Sequence, residues 1–122
     1  MKTTITAEEL VQAYKKTGIK PINKVYVNPV INCGCALSVL SINNSNGNLS
    51  LSKINAIRDT EELEKIFRDK IGLDPSYNID AFMDGFDCIM SGKMDTKEWN
   101  EGYKCANIVK EEFSINDLSQ GV

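Results

Sequence analysis

From Ile79 onward the chain carries two apolar stripes at helical spacing with only a few residues between them, and this pairing constrains the fold more than any other feature. Ile79, Phe82, Met83, Phe86, Ile89 and Met90 form the first stripe, which runs from Asp74-Pro75, an N-cap followed by a proline suited to a first helical position, to Gly92. Asp95, with Glu98 three residues later, starts the second helix, whose face is Trp99, Tyr103, Ala106, Val109 and Phe113. Two helices with so short a connection must fold back on each other, which predicts a C-terminal antiparallel helical hairpin.

Upstream, Thr6-Ala-Glu-Glu9 has the capping-box form, and Ala7, Leu10, Val11 and Tyr14 follow at helical spacing until Gly18 and Pro21. Asp59 with Glu62 opens another helix, with Leu63, Ile66, Phe67 and Ile71 on one face and Gly72 at its end. Lys24-Val-Tyr-Val-Asn28, fenced by Pro21 and Pro29, reads as an edge strand, and Leu49-Ser-Leu-Ser-Lys53 alternates as a half-buried strand does. Asn43 to Asn48 is a polar turn cluster. The fold class expected is therefore α+β: a mainly helical single domain, residues 1–122, with a small antiparallel sheet, the helical hairpin, and a flexible tail over 114–122.

A length of 122 residues suits one hydrophobic core, and 42% hydrophobic with 25% charged residues suits a soluble globular chain. No apolar run reaches the roughly 18 residues of a membrane span, and MKTTITAEEL lacks the form of a secretory signal, so a cytoplasmic location is expected and a membrane partner is not. A net charge of -3 with scattered lysines argues against long nucleic acid as a partner, since that needs a concentrated basic face. The chain has no histidine, which removes the commonest general base and metal ligand.

Three segments carry candidate chemistry. In INCGCALSVL, Cys33 and Cys35 stand either side of one glycine; this spacing is too short for the usual zinc pair, and Cys88 and Cys105 fall on separate helices, so no metal site and no cofactor is expected. Small thiols filling tight packing positions at the start of a short helix account for the stretch. In Phe82-Met-Asp-Gly-Phe-Asp-Cys88 a glycine interrupts a good helix at a cost of about 0.5 to 1 kcal/mol, so either another backbone or a ligand approaches Gly85 closely. Asp84 and Asp87 share a face there, as a solvated edge, a cation site or an acid and base would. Arg58 and Arg68 are the only arginines and so the candidate partners for an anionic diphosphate.

Cys35-Ala36-Leu37, Phe82 followed by Gly85-Phe86-Asp87, and Gly102-Tyr103 together resemble a group of short bacterial and phage proteins whose pattern is a C-x-L-x-A-type helix, an F-x-x-G-F-D-G segment and a G-Y-x-x-G segment, over roughly residues 5 to 110. The group includes the phage anti-Thoeris sponges, which sequester cyclic ADP-ribose-type immune signals; some members also take up cyclic oligonucleotides. The resemblance implies a homo-oligomer without catalysis, acting in the host bacterial cytoplasm, with the nucleotide signal in recessed pockets between protomers. It assigns adenine stacking to Phe82 and pocket lining to Gly85, Asp87 and the backbone of Cys35 and Ala36. Cys88 and Ala106 stand where the pattern has glycines. Beside the sponge stand two other readings: an enzyme that degrades such a signal with Asp84 and Asp87, and a structural or protein-binding module.

Overall fold

The computed structural model describes residues 1–120 as an α+β, mainly helical single domain. In chain order these are α1 (Ala7–Thr17), β1 (Lys20–Pro21), β2 (Val27–Asn28), β3 (Cys33–Gly34), α2 (Ala36–Asn43), α3 (Leu51–Ala56), α4 (Thr60–Ile71), α5 (Ile79–Phe86) and α6 (Lys97–Glu112), with single 3-10 turns at Pro29–Ile31 and Leu118–Gln120. At the centre lies α2, in which every residue from Ala36 to Ser41 is buried; a helix with no exposed face needs neighbours all round, and α1, α3 and α4 supply them. The ends of α1 and α4 form as their sequences require. Thr6 and Glu9 close a reciprocal capping box, and Gly18 and Gly72 take left-handed conformations that stop the two helices.

The sheet is mixed rather than antiparallel. Its order is β1-β3-β2, with β1 parallel and β2 antiparallel to the central β3. The central strand is the Cys33-Gly34 pair itself, and there is little room beside it, since a Cβ on Gly34 would lie 3.2 Å from the Leu51 side chain. Residues 24–28 contribute only Val27–Asn28 as strand, because Lys24 turns at a φ of 68°. The expected strand at 49–53 is instead the start of α3: the Ser50 hydroxyl accepts from the Lys53 N–H, and this cap turns the alternation of Leu49 and Leu51 into a first helical turn that buries Leu51 and Ile54.

The hairpin forms, with both its helices bounded differently from expectation. Helix α5 starts at the Asn78 cap rather than at Asp74, whose carboxylate instead closes a local turn by accepting from Ser76 N and Oγ. It ends at Phe86: Cys88, at a φ of 58°, donates its N–H to the Gly85 carbonyl, and Ile89 donates to the Asp84 carbonyl. These two bonds make a Schellman terminus, so Ile89 and Met90 leave the apolar stripe and are exposed, Met90 at 72%. Thr96, not Asp95, caps α6, because its hydroxyl reaches the Trp99 N–H. Beyond α6, the expected flexible tail is docked over its described part: Ile115 and Leu118 are buried, and the Leu118 carbonyl accepts from Asn23 N. Residues 121 and 122 lie outside the described part of the chain.

Candidate functional site

The glycine and the two phenylalanines of the FMDGFDC segment are accounted for by the packing of the hairpin. Phe82 and Phe86 are fully buried and stack in parallel, with centroids 6.3 Å apart. A Cβ on Gly85 would lie 1.9 Å from the Trp99 carbonyl oxygen, and one on Gly102 would lie 2.1 Å from the Phe82 carbonyl oxygen. The partner that requires these glycines is thus the backbone of the facing helix. Ala106, on the same face of α6 one turn beyond Gly102, is also fully buried. Asp87 is the C-cap residue of α5, and its Oδ1 accepts the Lys24 N–H at 2.8 Å. Cys88 takes the left-handed position that a glycine fills most readily, which accounts for a glycine in the pattern at that point.

The other residues expected to bind ligand divide in the same way. Cys35 and Ala36 are fully buried at the start of α2. The Cys35 thiol lies 3.4 Å from the Ser38 hydroxyl, and burial pushes it up to about 11, which makes it a packing group rather than a thiolate. Arg68 donates to the backbone carbonyls of Asp74 and Tyr77 and so holds the loop between α4 and α5, while Arg58 is exposed just before α4. The fold therefore does not bring Phe82, Gly85, Cys35, Ala36 and the two arginines together around an accessible space. Of the residues expected to bind ligand, Asp87 alone reaches a cleft.

That cleft, of about 340 Å³, lies between the segment Lys24–Tyr26 and the polar face of α5. Asp80, Asp84 and Asp87 recur at i, i+4 and i+7 and so line one side, with Met83 between them. Lys24 and Lys93 flank it, and Lys93 Nζ lies 3.2 Å from Asp84 Oδ2. Tyr26 forms the opposite wall, its ring tilted against Phe67 at 5.8 Å. The wall segment is held at both ends: Asn23 donates its amide to the Phe86 carbonyl, Lys24 N donates to Asp87, and the Tyr26 carbonyl accepts from Cys35 N at 2.8 Å.

The electrostatics of the cleft are set by crowded carboxyls. Burial raises the Asp87 pKa, and the Lys24 N–H only partly offsets this. A hydrogen bond to Asp80, reinforced by partial burial, raises Glu64 of α4 to about 7, so Glu64 holds its proton close to neutrality. Tyr26 is also raised, chiefly by burial. Such a surface can accept hydrogen bonds from hydroxyls and amines, while the two ammonium groups at its rim can meet an anion. A second groove, of about 470 Å³ between Thr4–Glu8 and α6, has no aromatic wall.

Sequence reasoning missed Tyr26 because a β-branched stretch between prolines reads as a strand. The available signal was an aromatic residue set among lysine, valine and asparagine, far from any apolar stripe. Among the described residues, no group of three or more His, Cys, Asp or Glu side chains is placed to hold a metal ion, and no helix is long and apolar enough to cross a membrane. No protein-family model, no curated protein and no solved structure matches the chain.

Proposed function

We propose that this protein is a non-catalytic binder of a cyclic ADP-ribose-type nucleotide signal, a phage anti-defence sponge acting in the host bacterial cytoplasm. The observation that carries the reading is the cleft beside the FMDGFD helix, which sets an aromatic wall, carboxylates and two lysine ammoniums around about 340 Å³. That volume lies at the lower end of the range for small-molecule sites. Ribose hydroxyls and a purine amine suit Asp80 and Asp84, and phosphates suit Lys24 and Lys93. Val25, which lines the cleft, is an exposed apolar residue, and a second protomer that covered it would close the site.

The competing reading is hydrolysis of the signal by Asp84 and Asp87. It is favoured by the raised pKa of Asp87, but Asp87 Oδ1 already accepts the Lys24 N–H and Asp84 already pairs with Lys93. A thermal-shift screen of cyclic ADP-ribose isomers and cyclic oligonucleotides, with mass measurement in solution, tests the sponge. A ligand at 100 times its Kd stabilises the protein by about 2.7 kcal/mol, a readily measured rise in Tm. Ligand released intact on heating supports sequestration, and hydrolysed product overturns it in favour of the enzyme. No shift with any of these compounds leaves the structural or protein-binding module as the function.

A further inference from the structure

Tyr26 separates two cavities rather than bounding one. A second cavity of about 350 Å³ shares Val25 and Tyr26 with the polar cleft, and Val27, Ile54, Ile57 and Leu63 complete its apolar walls. Both cavities are lined by Val25 and Tyr26, so they meet at that ridge. One lobe is apolar and the other bears carboxylates and ammoniums. In the apolar lobe the one side-chain amide is Asn55, which stands exposed on α3.

A ligand that fills both lobes must have a flat apolar end and a hydroxyl-rich, anionic end. We propose, building on the nucleotide-binding reading above, that an adenine nucleotide straddles this ridge, with its base against Tyr26 in the apolar lobe and its ribose and phosphates in the polar one. Tyr26 then takes the stacking role that the buried Phe82 cannot fill. The ring is suited to it: Phe67 supports it from inside at 5.8 Å, and its backbone is tied to Cys35, so little freedom is lost on stacking. A carboxamide such as that of Asn55 can pair with both the amino group and N7 of adenine, a pairing hypoxanthine cannot give because that edge offers only the acceptors O6 and N7.

The test uses the full chain with cyclic ADP-ribose, adenosine monophosphate and inosine monophosphate as probes, followed by calorimetry and by NMR of the unaltered protein. Expected are nuclear Overhauser contacts between adenine ring protons and the Tyr26 ring, a loss of affinity of about tenfold or more in Tyr26→Ala, recovery in Tyr26→Phe, and a narrowed preference for adenosine over inosine monophosphate in Asn55→Ala. The NMR contact does not depend on a variant folding. If the unaltered protein binds no nucleotide, the sponge reading and this site fall together. If it binds nucleotide without contact to Tyr26, and Tyr26→Phe and Tyr26→Ala bind as the unaltered protein does, the straddled ridge is overturned while the sponge reading stands.

Discussion

Cys88 ends α5 at a φ of 58°, a conformation that places its Cβ against the following carbonyl. The side chain is exposed, so replacing it removes no core contact. Cys88→Gly should therefore stabilise the protein by about 1 kcal/mol, seen as a higher urea midpoint at unchanged slope. An unchanged or lower midpoint would show that the thiol contributes something the conformation does not reveal. The same position explains a feature of the pattern. The sequence left the glycine of the pattern at this point without a role, whereas its requirement is local and set by the chain's own turn. Ala36 is a parallel case: fully buried at the start of the central helix, it cannot be enlarged to probe binding without overpacking the core.

At the scale of elements, α5 and α6 cross backbone to backbone at Gly85 and Gly102. A methyl group at Gly85 would have to displace the Trp99 carbonyl, which is part of a helix and not a movable side-chain end. We expect Gly85→Ala to cost about 3 kcal/mol or more despite alanine's better helix propensity of about 1 kcal/mol, because the overlap is with a fixed backbone. Chemical denaturation measures this directly, and a neutral result would mean that the helices separate readily at their crossing. The hairpin itself was legible in the sequence, because two stripes of period 3.6 with a short connection leave no other arrangement. Its ends were not, since Asn78 and Thr96 cap only when their side chains reach the third N–H, and Asp74 and Asp95 offered equally good chemistry nearby. The strands were the least legible elements. Each has two residues, too few for any alternation to register.

For the whole molecule, the fold brings Glu64 of α4 within hydrogen-bond reach of Asp80 of α5. The Glu64 pKa of about 7 in the folded protein exceeds its ordinary 4.5, so the native state holds this proton more tightly than the unfolded chain. That stabilisation is complete below pH 4.5 and is lost as the pH rises to about 7. Denaturation midpoints should fall across this interval, and Glu64→Gln should flatten the fall; an identical pH profile in the variant would exclude Glu64 as the group responsible.

The candidate site was legible only in part. The FMDGFD segment drew attention to a helix that lines a cleft, and Asp84 and Asp87 do face that cleft, but Phe82, Gly85, Cys35 and Ala36 serve the core. Sequence by itself determined the helical hairpin, the caps of α1 and α4 and the burial of Phe82, Phe86 and Trp99, because these follow from local propensity and periodicity within a few residues, whereas Tyr103, expected on the same apolar face as Trp99, is exposed. Tertiary structure alone decided the mixed sheet, the docking of Leu118 and the two cavities at Tyr26. The sheet pairs strands of only two residues, and the docking and the cavities depend on contacts between segments tens of residues apart, such as Lys24 with Asp87 and Asn23 with Leu118, for which a single sequence carries no local signature.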